Sequence, residues 1–347
     1  MKKFLLTALT ALAVLAALVL AVPAGAAVGT DIGAFHADCE FSHRLNDDPI
    51  VAFGMPGASH SHDFSGSRTL NAFSTPASIR QAPTNCVRTD SAAAGADRSA
   101  YWVPTLYVND QIVQETQLGA YYTAGVRDTQ AIRPFPADLK IIAGSAKGGP
   151  QEVNAERVWA YMCPGGTLVN GSATSAPTCK TKLMELVIRF PDCWNGVDLD
   201  SPDHKAHMAY SRRVAGAAAR TCPSTHPRLM PMLQLILRYP TAGGPGLRLA
   251  SGPINTAHAD FMNGWDQARL SALVRGCLVT DKYCGGGDAP DTQSGGDSAG
   301  THVSARSLRS GVHRAGTRVS ARSRLGRGLR DRRARVVRIG AQRRHVH

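Results

Sequence analysis

Between residues 27 and 284 the chain contains no C-x-x-C pair and no G-x-S-x-G elbow. The first absence argues against a cysteine-built zinc site, the second against an α/β-hydrolase with its serine on a strand-to-helix turn. Excess charge is lacking too, because residues 1–300 carry as many bases as acids. That stretch therefore gives no electrostatic reason to expect a polyanionic partner. Only residues 4–22 form an apolar run as long as a minimal membrane span. His258-Ala259-Asp260 resembles the opening of an iron facial triad, yet no histidine follows it before residue 301, so the downstream third ligand is missing.

What is present sets the compartment. Lys2 and Lys3 precede that apolar run, and Pro23 and Ala24-Gly25-Ala26 follow it, which reads as a secretory signal over residues 1–26, cleaved near Ala27. Cleavage there leaves no membrane span, places the protein outside the cell or at its surface, and excludes a copper oxygenase that uses an amino-terminal histidine. All eight cysteines lie beyond the cleavage point, and an even number in an exported chain reads as disulfides. Eight cysteines permit 105 pairings. Short-range partners would be Cys163 with Cys179, Cys193 with Cys222 and Cys277 with Cys284.

The carboxyl end is different in kind. Residues 301–347 hold fourteen arginines, no lysine and one acid, Asp331, so they carry the whole formal charge of +13. Residues 285–300, rich in Gly, Ser and Asp, read as a linker, and both segments are too poor in apolar residues to fold. Two readings of the tail stay open. It could contact polyanions by neutralising phosphates, or it could be a compositional appendage, as the partial repeat of Val303-Ser304-Ala305-Arg306 at Val319-Ser320-Ala321-Arg322 suggests.

Residues 27–284 read as one β-rich domain. Apolar runs of about three to eight residues, punctuated by Gly, Pro, Asn or Asp, recur at 101–108, 111–113, 139–143, 158–162, 183–190, 232–239 and 247–250. Val108-Asn109-Asp110-Gln111 is a tight hairpin turn by composition. After Asn263-Gly264-Trp265-Asp266, residues Leu270, Leu273, Val274, Cys277 and Leu278 follow helical spacing. The fold class expected is mainly β: a single sandwich or jelly roll with long disulfide-stapled loops and a C-terminal helix.

Histidine carries the chemistry. His60 and His62, two residues apart, point to one side of an extended chain, and His204 and His207 share one side of a single helical turn. These four are the candidate metal ligands, suited to zinc, copper or manganese. Asp63, Asp203, His258 and Asp260 are the candidate acid–base residues, in the pairs His62 with Asp63, His204 with Asp203 and His258 with Asp260. Each has a plainer reading: a polar strand face for His60 and His62, a turn cap for Asp203, a loop hydrogen bond for His226, and core anchoring for Trp102, Trp194 and Trp265.

The wording of these stretches is also specific. Gly57-Ala58-Ser59-His60-Ser61-His62-Asp63-Phe64-Ser65-Gly66, Ala100-Tyr101-Trp102-Val103-Pro104, Asp192-Cys193-Trp194-Asn195-Gly196, Asp200-Ser201-Pro202-Asp203-His204-Lys205-Ala206-His207-Met208, Cys222-Pro223-Ser224-Thr225-His226-Pro227 and Asp260-Phe261-Met262-Asn263-Gly264-Trp265-Asp266 together resemble the DUF1996 family of secreted bacterial and fungal proteins, over roughly residues 35–277. The resemblance implies which residues travel together and brings no activity with it. Two functions remain open: a metal- or His/Asp-dependent hydrolase of an extracellular polysaccharide, and a noncatalytic protein that binds metal or the cell wall. A monomer is expected in either case.

Overall fold

A computed structural model describes residues 33–89, 95–125, 127–153, 156–164, 167–168 and 178–284. The expected signal segment, linker and arginine-rich tail lie outside them. Twelve strands build the two main sheets: β1 Ala34–Cys39, β2 Phe41–Leu45, β3 His62–Gly66, β4 Cys86–Thr89, β5 Ala100–Pro104, β6 Gln117–Thr123, β7 Lys140–Gly144, β8 Trp159–Cys163, β9 Thr167–Leu168, β10 Met184–Arg189, β11 Met232–Tyr239 and β12 His258–Met262. The larger sheet runs β9-β8-β10-β11-β6-β1-β4 and the smaller β2-β3-β5-β12-β7, both antiparallel throughout. Each expected apolar run contains a strand, and the run at 101–108 is divided into two.

The two sheets pack face to face as a sandwich. Along β6, Leu118, Ala120 and Tyr122 turn inward, and along β11 Leu233, Leu235, Leu237 and Tyr239 do so. Opposite them, Tyr101 and Val103 of β5 and Ala259 and Phe261 of β12 fill the same core. The period of two along each strand sorts these residues from their neighbours. A chain of hydrogen bonds crosses the layers: Trp265 Nε1 donates to Tyr122 Oη (2.8 Å), Tyr122 and Tyr101 share one (2.6 Å), and Tyr101 Oη donates to Asp97 (2.6 Å). Each buried ring thereby keeps its polar atom paired.

A further layer lies on the outer face of the smaller sheet. There Phe64, Ala100, Trp102 and Met262 pack under Ile50, Leu70 and Ile79, the last from helix α1, Pro76–Gln81. This face is therefore not open to solvent along its length.

Local signals are expressed as expected. Asn109 and Asp110 both take positive φ, 50° and 60°, in the two-residue turn between Leu106–Val108 and Gln111–Val113. Helix α2, Gln267–Leu273, is capped by Asp266 accepting from the Arg269 amide (2.8 Å) and continues into a π-turn over Val274–Leu278. Four disulfides join Cys39 to Cys86, Cys163 to Cys179, Cys193 to Cys222 and Cys277 to Cys284. No helix among the described residues is long and apolar enough to cross a membrane.

Candidate metal centre on the outer sheet face

β3 and β12 flank β5 in the smaller sheet, and both carry polar residues at buried positions. Their alternation places Asp63, Ala259 and Phe261 toward the sandwich interior and His62, Phe64, His258, Asp260 and Met262 outward. Pro104, opposite His62 on β5, is too short to hold the rings apart. The centroids of His62 and His258 are 5.7 Å apart, and His60, two residues before His62, completes the group at 4.2 Å from His62 and 5.0 Å from His258. One ring nitrogen from each of the three lies within 4.8 Å of the others.

Backbone carbonyls aim these rings. His62 Nδ1 donates to the Asp47 carbonyl (2.9 Å) and His258 Nδ1 to that of Thr256 (2.8 Å). A carbonyl can only accept, so the proton sits on Nδ1 and Nε2 presents a bare lone pair to the centre. This is the outer-shell arrangement that orients metal-binding imidazoles. His60 Nε2 lies 3.2 Å from His258 Nε2, while His62 Nε2 is buried without a hydrogen-bond partner. An unpaired buried nitrogen costs free energy unless something binds it.

Burial decides the charge of the group. Desolvation pushes His62 well below the ordinary imidazole range, with repulsion from His60 and His258 adding to it. The same burial takes His258 down to about 3 and lowers His60. All three rings are thus neutral near pH 7, the form that ligates. Asp260, fully buried beneath them, is pushed well up by desolvation and by the nearby Asp48 charge, and its Oδ2 has no partner. Asp48, His62 and Asp260 form a second group within 4.8 Å, so the ring cluster and the carboxylates share His62. Asp48 also accepts from the amides of Ile50 and Val51 (both 2.9 Å) and is itself raised by burial.

The other expected site residues lie elsewhere. Asp63 faces the opposite side of the sheet from His62, where Arg44 grips it with two hydrogen bonds and Thr105 Oγ1 donates to it (2.7 Å). Beside it Glu115, a residue the motifs did not flag, is buried and pushed well up by desolvation and the Asp63 charge. Asp63 therefore does not pair with His62. Asp203 is the turn cap of the plainer reading, accepting from Ser201 Oγ (2.7 Å), Lys205 N (3.1 Å) and Ala206 N (2.8 Å), which hold its carboxyl low. It does not pair with His204, whose Nδ1 lies 2.8 Å from Asp200 instead.

His207 is buried with both ring nitrogens engaged, Nδ1 with Ser201 Oγ (3.0 Å) and Nε2 with the Lys140 carbonyl (2.7 Å). It is placed to anchor the 200–207 loop. His226 bridges Thr225 Oγ1 and the Ala206 carbonyl (2.9 Å each), a structural role as its Pro-flanked setting suggested. Trp102 and Trp265 are core residues, whereas Trp194 is partly buried and donates to the Asp198 carbonyl (2.6 Å). A grouping of Cys39, Cys86 and Asp97 has the spacing of a metal site, but its sulfurs are joined to each other and cannot ligate. The chain's G-x-S-x-G match, Gly296-Asp297-Ser298-Ala299-Gly300, falls outside the described residues.

Asp47, Asp48 and Thr256 complete the surroundings of the centre, and no motif contained them. Backbone carbonyls leave no mark in sequence. Asp47-Asp48 before Pro49 was the one visible signal, and it reads equally well as a turn.

A family model described as a domain of unknown function, DUF1996, matches residues 48–265. The match takes in Asp48, His60, His62, His258 and Asp260 and is shorter at both ends than the expected span. No curated protein and no solved structure matches the chain.

Proposed function

The chain belongs to the DUF1996 family, whose description assigns no activity, and from that premise we propose that it is an exported metal-dependent hydrolase of extracellular polysaccharide. The observation that carries this reading is the convergence of three neutral imidazoles, His60, His62 and His258, two of them aimed by backbone carbonyls and one, His62, with its Nε2 unpaired. Three imidazoles with a fourth position left for water are the ligand set of a hydrolytic zinc site. His60 is only partly buried, so the cluster has a side from which water and substrate arrive. Zinc, copper or manganese suits these donors. The four disulfides fit an oxidising, extracellular setting, and that setting supplies the polysaccharide.

A second reading has its own observation. Asp48 and Asp260 add two oxygen donors around His62, and if both ligate, the sphere is filled and the protein binds metal without catalysis. The test begins with elemental analysis of the purified full chain beside a His60→Ala, His62→Ala variant. Near-stoichiometric metal in the parent, lost from a variant with an unchanged circular dichroism spectrum, is the expected result. No metal in the parent after incubation with zinc, copper and manganese would end both readings. A cobalt-substituted sample then separates them, since only an open sphere changes its visible spectrum when azide is added.

A further inference from the structure

The Asn263-Gly264-Trp265-Asp266 stretch is not used by the histidine centre, yet it builds a cavity of its own. After β12 the chain passes close against the segment before β5. The Asp266 amide donates to the Ala96 carbonyl (2.9 Å), and the Gly264 amide donates to Ser99 Oγ (3.1 Å). A Cβ on Gly264 would run into the Arg98 carbonyl, so only glycine allows this approach. Beside these contacts lies a cavity of about 680 Å³. Gly95, Ala96 and Gly264 line it together with Ala268 and Ala272, one turn apart on α2, so no long apolar side chain fills it.

Three arginines from three segments line the same space: Arg80 from the last turn of α1, Arg98 from the segment before β5, and Arg269 from the first turn of α2. They are arranged, not merely near. Arg98 Nη1 donates to the Arg80 carbonyl (2.8 Å), and the Arg80 guanidinium is paired with Asp138, which is not part of the lining. Asp266 is the one carboxylate in the lining, and its Oδ1 is committed to the Arg269 amide (2.8 Å). Neither Arg98 nor Arg269 forms an ion pair among the described residues, and both are exposed. Three positive charges therefore face one negative. The even charge balance of residues 1–300 conceals this excess because it sums over the whole body. Trp265 also lines the cavity but is 1% exposed, with its Nε1 turned to Tyr122, so no ring face is open for stacking a flat ligand.

We infer that this cavity is a binding site for an acidic oligosaccharide, which Arg98 and Arg269 recognise through its carboxylates. Guanidinium is the group that matches a carboxylate with two parallel hydrogen bonds, and an unpaired one at a cavity wall offers that fork without first breaking an ion pair. The volume is many times the roughly 30 Å³ of one water, so the occupant is a molecule and not a lone ion. Excess positive charge calls for an anion, and the absence of an open aromatic face favours an aliphatic, hydroxylated one over a nucleotide. Uronate chains are the form in which an extracellular setting, consistent with the four disulfides, supplies such a molecule. The inference does not rest on the hydrolase reading, because no lining residue belongs to either histidine group.

The test is isothermal titration calorimetry of the full chain with trigalacturonate at low salt. Saturable one-to-one binding is expected, and cellotriose, a neutral trisaccharide, should give none. Arg98→Gln combined with Arg269→Gln should weaken binding by about 10–100-fold, the loss expected for hydrogen bonds to charged groups. Ala272→Glu keeps both guanidiniums but puts a carboxylate into the cavity, and it should weaken binding in the same direction. Both changes are at exposed positions, so an unchanged circular dichroism spectrum is expected. The His60→Ala, His62→Ala variant should bind trigalacturonate as the parent does, which separates this site from the metal centre. Parent-strength binding in both cavity variants would place the ligand on the arginine-rich residues 301–347 and overturn the inference. Absence of saturable binding overturns it as well, as does inorganic phosphate or cellotriose binding as tightly as trigalacturonate.

Discussion

His258 offers a measurement of whether the centre is as dry as its geometry requires. Its folded value of about 3 lies below the unfolded imidazole value of about 6.5, because burial penalises the charged ring. In the metal-free protein the unfolded chain therefore binds a proton that the folded chain refuses. Stability from this residue is present above pH 6.5 and is lost as pH falls from there toward 3. Between pH 7 and pH 5 the linkage amounts to about 2 kcal/mol. His258→Asn provides the reference, since its amide can still donate to the Thr256 carbonyl and does not titrate. Asp48 and Asp260 titrate in both proteins, so their opposing contributions cancel in the difference. Urea unfolding of the chelator-treated proteins at pH 7 and pH 5 should show the parent losing about 2 kcal/mol more than the variant. Equal losses would mean that His258 accepts a proton in the folded state, and the picture of three neutral, ligand-ready rings would fail.

Other consequences follow from the same structure. His207→Ala should leave metal content at the parent value while costing about 1–3 kcal/mol in urea unfolding, because the Lys140 carbonyl and Ser201 hydroxyl lose their partner; loss of metal instead would make His207 a ligand. Arg127 and Asp192 form an ion pair with side-chain exposures of 1% and 2%, in which Arg127 Nη1 bonds Asp192 Oδ2 at 2.5 Å. Asp192→Asn should cost about 3–5 kcal/mol by leaving the guanidinium buried and uncompensated, read by the same unfolding assay, and a cost under about 1 kcal/mol would show that water reaches the pair.

Much of the fold was legible because its signals are local. The runs at 183–190 and 232–239 became the adjacent strands β10 and β11, and the spacing from Leu270 to Leu278 became the C-terminal helix and its π-turn. Among the strands that escaped notice, which include β1 and β6, two have polar residues inside. β3 reads His-Asp-Phe-Ser-Gly and β12 reads His-Ala-Asp-Phe-Met, and all five residues of each are buried. Apolar periodicity cannot mark a strand whose buried face is lined by imidazole and carboxylate.

The sequence by itself determined that cysteines would pair and that short β-strands would dominate, because composition and near-neighbour spacing are enough for each. Tertiary structure alone decided which histidines meet. His60 and His62 were joined by spacing, but His258 is nearly two hundred residues away and reaches them only because β12 and β3 both pair with β5. His204 and His207, equally close in sequence, joined neither each other nor that group: His207 pins the loop to the Lys140 carbonyl and His204 bonds Asp200. The physical reason is that strand pairing sets distance at long range, while the face a side chain takes depends on a register that neither motif contains.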